Sequence, residues 1–195
     1  MDKKLSEKIE EVKELFGESI LPEIPESILN NLKHGMWPIQ EDAFRNFLFY
    51  ENIKEDIAFE NMPPNVEFVK KDEPSHLMFN MATGSGKTML MAACILHYMN
   101  LGYRKFLFIT HQTNILDKTE ENLINKMHQK YLFGEQIIIN SERVELKKVK
   151  SFSKTNNYEL RIETIQSLHL DLQETNQREN IDSLQELNDL DLVIL

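Results

Sequence analysis

Cysteine is nearly missing from this chain, with one residue, Cys94, in 195. A single thiol cannot close an internal disulfide, and the apolar stretch around Cys94 reads as packing rather than as a reactive-thiol environment. Long hydrophobic runs are missing too. The longest charge-free apolar stretch, Met89 to Leu101, is too short to span a bilayer and contains His97 and Asn100. The opening Met-Asp-Lys-Lys-Leu-Ser-Glu lacks the apolar centre of a signal peptide. Together these features lead us to expect a cytoplasmic protein with no membrane partner. Positive charge is also short: 22 Lys and Arg face 32 Asp and Glu, a net charge of −10. Such a balance argues against holding nucleic acid by bulk electrostatics, though it leaves room for a local groove. The six histidines show no tight metal spacing with cysteine or acid, which speaks against a zinc site. No nucleophile elbow, internal repeat or low-complexity segment is present.

What is there fits one domain, or one domain with a small accessory segment. Acid is concentrated in the first thirty residues, at Glu7, Glu10, Glu11, Glu14, Glu18, Glu23 and Glu26. Leu5, Ile9, Val12 and Phe16 recur at helical spacing through them, which predicts an amphipathic helix with a solvated acidic side. Gly17 is a plausible stop, and Pro22 and Pro25 mark a linker. We therefore expect residues 1–34 to form an acidic helical segment and residues 35–195 to form the main domain.

The most informative segment of that domain is Met81-Ala-Thr-Gly-Ser-Gly-Lys-Thr88. It lies between the apolar Leu77-Met78-Phe79, expected to be a core strand, and the helix-like stretch from Met89. A glycine-rich turn between strand and helix gathers backbone N–H groups and the positive end of a helix around an anion-sized hollow. Gly84 and Gly86 can take positive φ and bring the backbone close to phosphate oxygens. Thr83, Gly84, Ser85, Gly86, Lys87 and Thr88 are thus candidates for holding nucleotide. Lys87 would reach the β- and γ-phosphates of ATP, and the Thr88 hydroxyl would coordinate the bridging Mg²⁺. Lys87 and Thr88 are the candidate catalytic residues. The generic pattern has glycine at the first loop position, where this chain has Met81.

Around the loop, strands and helices alternate. Pro38 suits a first helical turn, with Ala43, Phe44, Phe47, Leu48 and Ile53 as an apolar face running to about Lys54. Met62-Pro-Pro-Asn65 breaks the chain, and the charged run Lys70 to Pro74 follows it. Downstream come Phe106 to Ile109, a helix from about Asn114 to Gln129, Ile137 to Ile139, Leu160 to Ile162, a helix from about Ile165, and Leu192 to Leu195. Short, continuously apolar strands separated by helices indicate a mostly parallel sheet covered on both faces. Its carboxyl edge is where ligand should bind. The polar stretch from Ser141 to Tyr158, with Lys147, Lys148, Lys150 and Lys154, reads first as a solvated edge and second as a nucleic-acid contact.

These residues resemble a known family. Met81 to Thr88 is similar to motif I of superfamily 2 helicases and translocases, in which alanine or methionine commonly replaces the first glycine. Trp37-Pro-Ile-Gln40, with Ala43, resembles the upstream glutamine motif, which implies that Gln40 reads the adenine edge. Phe106 to Asn114 resembles motif Ia, and Glu163-Thr-Ile-Gln-Ser-Leu168 resembles a later motif that contacts the tracked strand. The resemblance thus implies DNA contacts at Thr110, His111, Thr113, Thr164 and Gln166. Thr164 has an alternative reading as a helix cap, and Thr110 to Thr113 as an ordinary polar loop after a strand. Within the superfamily, Thr113 to Leu123 looks most like the restriction subunit of type III restriction-modification enzymes.

The fold class implied is α/β, a three-layer RecA-like P-loop domain with a mostly parallel sheet behind a helical N-terminal segment. The function implied is that of a DNA-dependent ATPase motor acting on double-stranded DNA, with ATP and Mg²⁺ as cofactors and a methyltransferase/specificity subunit as partner. In the family an Asp-Glu pair follows a strand of the form Asp191-Leu-Val-Ile-Leu195. The resemblance therefore implies the N-terminal part of the first helicase domain of a longer subunit, unable by itself to turn ATP over. Two other enzyme readings are the motor subunit of a type I restriction enzyme and a superfamily 2 repair helicase. A non-hydrolysing nucleotide-binding regulatory module is an alternative of another class.

Overall fold

The computed structural model describes residues 4–55, 77–170 and 192–194. Two compact units emerge, Met1–Pro25 with Met36–Lys87, and Glu26–Gly35 with Thr88–Leu195. The chain crosses between them after Pro25, after Gly35 and after Lys87.

In the first unit, α1 (Leu5–Phe16) begins where the Glu7 carboxylate accepts the Lys4 backbone N–H at 3.0 Å. It ends at Gly17, whose φ of +85° turns the chain while its N–H bonds the Lys13 carbonyl at 2.8 Å. A single 3-10 turn, Glu18–Ile20, follows. Ile9 and Val12 are buried with Leu21 and Phe49, and Leu5, Ile20 and Ile53 pack around them. Each fully buried side chain of this size contributes about 1.5–3 kcal/mol. Phe16 departs from the expected face, because it lies 48% exposed at the helix end where the chain turns away. The second long helix, α3 (Pro38–Glu55), buries Phe44, Phe47, Leu48, Phe49 and Tyr50. Its Arg45 guanidinium donates to the carbonyls of Leu21 and Pro22, fixing the stretch that follows the 3-10 turn.

The second unit opens with the short α2 (Glu26–Leu29) and resumes at Thr88, the second residue of α4 (Lys87–Asn100). Helix α4 buries residues all round, Cys94 among them, as its charge-free sequence predicts. A four-stranded sheet follows in the order β4-β5-β1-β6, made of β4 (Leu146–Val149), β5 (Tyr158–Thr164), β1 (Lys105–Thr110) and β6 (Leu192–Ile194). All three pairings are parallel. Helix α5 (Thr113–Leu123) packs on β5 and β1. Its Glu120 accepts from Lys148, which shares a sheet face with Leu160 and Phe106 by register. On the other face, Leu107 and Ile109 pack with Phe152, Val149 and Leu168, the last carried by α6 (residues 165–170). This is an α/β, RecA-like arrangement of parallel strands with helices on both faces.

Three expected elements come out differently. Residues 77–79 form no strand, and among the described residues no strand pairs with them. Helix α5 stops at Leu123 rather than near Gln129, since the Asn125 side chain accepts the Met127 N–H and closes a turn. The stretch 137–139 does form a strand, β2 (Ile137–Ile139), but it pairs antiparallel with β3 (Glu142–Val144) in a separate hairpin. Asn140 and Ser141 both have positive φ, as a two-residue hairpin turn requires. The expected break at 62–65, the charged run at 70–74, Asp191 and Leu195 lie outside the described residues.

Candidate nucleotide and nucleic-acid sites

Helix α3 starts with a reciprocal cap. The Trp37 carbonyl accepts the backbone N–H groups of Gln40 and Glu41, and the Gln40 side-chain oxygen accepts the Trp37 N–H at 2.9 Å. Glutamine at the third helical position commonly reaches back in this way. The other end of the same amide goes elsewhere. Its Nε2 donates to the carbonyl of Ser85 at 2.9 Å, with the Gly86 carbonyl at 3.5 Å, the limit of a hydrogen bond. Gln40 is accordingly 4% exposed, whereas Trp37 and Ile39 beside it are 58% and 56% exposed.

The glycine loop is a turn over residues 83–85 that enters α4 at Lys87. Gly84 and Gly86 have φ of +84° and +80°. They need glycine for different reasons. A Cβ on Gly84 would meet open space, so only its backbone angle demands glycine, while a Cβ on Gly86 would also run into Gln40 Nε2. The Lys87 ammonium lies 3.1 Å from both the Met81 and Ala82 carbonyls, and the Ser85 hydroxyl donates to the Ala82 carbonyl at 2.7 Å. Met81 contributes a carbonyl to the loop and is not among the residues with positive φ, so its backbone does not require glycine. The role of that carbonyl is not visible in a motif of side-chain letters.

These residues fit a polyphosphate. An ammonium at a helix start and two glycines in the left-handed region are what an anion with several oxygens needs. Thr83, Gly84, Ser85, Gly86 and Lys87 are brought together with Gln40 in the first unit. Thr88 follows Lys87 directly as the second residue of α4. Among the described residues, no group of three or more His, Cys, Asp or Glu could hold a metal ion.

In the second unit, the register sets Thr110 beside Thr164 at the carboxyl ends of β1 and β5. His111, Thr113 and Gln166 stand exposed just beyond those strand ends. Thr164 is buried, and its hydroxyl accepts the Ser167 N–H at 3.0 Å, capping α6. One residue earlier, Glu163 accepts from Arg161 at 2.7 Å.

At the amino ends of the same strands a different polar cluster closes off the sheet. Lys105 and Glu159 pair at 2.8 Å with side chains 12% and 4% exposed. Ser153 donates to Glu159 through both backbone and hydroxyl, and Lys105 also donates to the Thr155 carbonyl. Burial pushes the Glu159 carboxyl up, but the Lys105 and Ser153 hydrogen bonds outweigh it and hold the group below the usual carboxylate range.

Fold and loop define a class: an α/β domain with parallel strands and a glycine turn leading into a helix. Residues 33–195 match the family described as type III restriction enzyme, res subunit, and the chain belongs to that family. It is also similar to the probable type III restriction-modification enzyme HindVIP Res subunit of Haemophilus influenzae, with 40% identity over 173 residues. That alignment covers 88% of this chain and 32% of the relative, so the chain spans about a third of the relative's length. No solved structure matches it. No helix among the described residues is long and apolar enough to cross a membrane.

Proposed function

We propose that this chain is the ATP-binding part of a DNA-dependent ATPase motor, the restriction subunit of a type III restriction endonuclease. The observation carrying the reading is the loop itself. Lys87 starts α4 with its ammonium folded over the loop carbonyls, and Gly84 and Gly86 turn the backbone as a phosphate cradle requires. Family membership supports the same reading.

In this proposal Lys87 neutralises charge on the β- and γ-phosphoryl oxygens of ATP, and loop amides donate to the same oxygens. The Thr88 hydroxyl would hold Mg²⁺, which supplies charge neutralisation between the phosphates when bound. Thr110, His111, Thr113 and Gln166 would meet the backbone of double-stranded DNA at the carboxyl edge of the sheet, with Thr164 acting through the helix it caps. The working assembly would be cytoplasmic and include a methyltransferase/specificity subunit.

Mg-ATP affinity of the native protein and of Lys87→Ala, measured by calorimetry, tests the nucleotide role. Loss of a charged donor to phosphate predicts at least about a tenfold weakening, about 1.4 kcal/mol. Equal affinities, with measurable binding in both, would remove the phosphate role from Lys87.

A further inference from the structure

A peptide unit is planar and trans, so fixing its carbonyl in one direction points the N–H of the next residue the opposite way. No peptide bond among the described residues is cis. This rule turns the hydrogen bonds around the glycine loop into statements about where its amides aim. The Met81 and Ala82 carbonyls are held from within the loop, by the Lys87 ammonium and the Ser85 hydroxyl. The Ser85 carbonyl is held from outside it, by Gln40 Nε2 reaching across 45 residues of sequence.

Gln40 can do this because its two ends are divided. The oxygen is engaged by the Trp37 N–H at the start of α3, which leaves the amide nitrogen as the donor toward the loop. Gly86 admits that nitrogen, since any side chain at position 86 would run into it. Gln40 is buried and its bond to Ser85 is half-buried, so the bond is partly shielded from water.

We propose that Gln40 is a positioning residue for the phosphate-binding amides: by holding the Ser85 carbonyl it orients the peptide between Ser85 and Gly86 and aims the Gly86 N–H at the anion. This assignment rests on the phosphate reading of the loop and extends it, because it gives Gln40 a role toward phosphate that is separate from reading a base. Helix α3 thereby sets the shape of the anion site. A base edge that engaged the same amide would draw it from the loop and so couple base recognition to phosphate affinity.

Inorganic tripolyphosphate with Mg²⁺ isolates the phosphate part, since it carries no base. Affinities for tripolyphosphate, ATP and GTP are measured for the native protein, Gln40→Ala, Gln40→Met and Lys87→Ala, with thermal midpoints recorded for each. Gln40→Met keeps a side chain of similar length beside Gly86, so it reports should the alanine variant fail to fold. The expected result is a loss of about tenfold in tripolyphosphate affinity in both Gln40 variants, matched by a similar loss for ATP. Unchanged tripolyphosphate affinity, with only the preference for ATP over GTP collapsing, would overturn the assignment and leave Gln40 a reader of the base. If the native protein ignores tripolyphosphate, or Lys87→Ala binds it equally well, the phosphate reading fails and this assignment falls with it. That pattern is distinct from one in which Lys87→Ala loses binding and the Gln40 variants keep it.

Discussion

At the scale of single residues, the two loop glycines separate two physical requirements that a motif cannot distinguish. Gly84 and Gly86 share a left-handed backbone, yet only Gly86 faces a neighbour that a Cβ would displace. Gly84→Ala should therefore destabilise by about 1–2 kcal/mol, the penalty of a left-handed L-residue alone. Gly86→Ala carries the same strain and in addition evicts the Gln40 amide, with the loss of a hydrogen bond worth about 1 kcal/mol. Urea unfolding of a double-mutant cycle checks this: in a Gln40→Ala background the Gly86→Ala penalty should shrink to that of Gly84→Ala. Equal penalties for Gly86→Ala in both backgrounds would mean that the contact carries no energy. The glycines, Lys87 and Gln40 could all be picked out from sequence. The link between Gln40 and Ser85 could not, because nothing in either local pattern encodes a partner 45 residues away.

At the scale of elements, Asn31 does for one strand what a neighbouring strand does for another. Its side chain is 3% exposed, and it exchanges two hydrogen bonds with the backbone of Ile138, both at 2.7 Å, while its nitrogen also donates to the Ser27 carbonyl. The amide thus imitates a strand partner at β2 and ties the segment after α2 to the hairpin. Asn31→Ala should cost about 1–3 kcal/mol by leaving those groups without partners. Asn31→Asp should cost more at neutral pH, since it replaces the donor between two carbonyls with a buried negative charge. Urea midpoints give the order, and an aspartate variant as stable as the native chain would exclude the strand-mimic role. The other strands show what was legible in the sequence. Apolar runs marked β1, β5 and β6, and for β1 and β5 that compositional trace reflects burial. Pro38 marked the start of α3. Strand β4 left almost none: of its four residues only Leu146 is buried, and its two lysines read as an edge, which is its position in the sheet. Leu77 to Phe79 erred the other way: the run is apolar, yet Met78 is 86% exposed and no strand pairs with it among the described residues. A short apolar run therefore fixes neither its own burial nor which backbone will supply the ladder.

At the scale of the whole molecule, two groups in the second unit make stability fall with acid in separate windows. Burial pushes His97 in α4 down to about 4 from an ordinary 6.5, so the folded state keeps it neutral while the unfolded state takes up the proton. Stability from this group is full above pH 6.5 and is lost as pH falls from there toward about 4. Glu159 is also depressed when folded, and its contribution is present above the ordinary value of 4.5 and lost as pH falls through the folded value. The two losses should therefore come in sequence, histidine first. Urea unfolding followed between pH 7.5 and pH 3 separates them. His97→Gln should flatten the upper slope and leave the lower one. Glu159→Gln should lower stability at neutral pH, because it breaks the buried pair with Lys105, and should flatten only the lower slope. If His97→Gln left the slope above pH 5 unchanged, the neutral buried imidazole would not be what limits this fold in mild acid. The acid sensitivity would then have to arise from self-repulsion as the excess carboxylates lose their charge and the 22 basic side chains come to dominate.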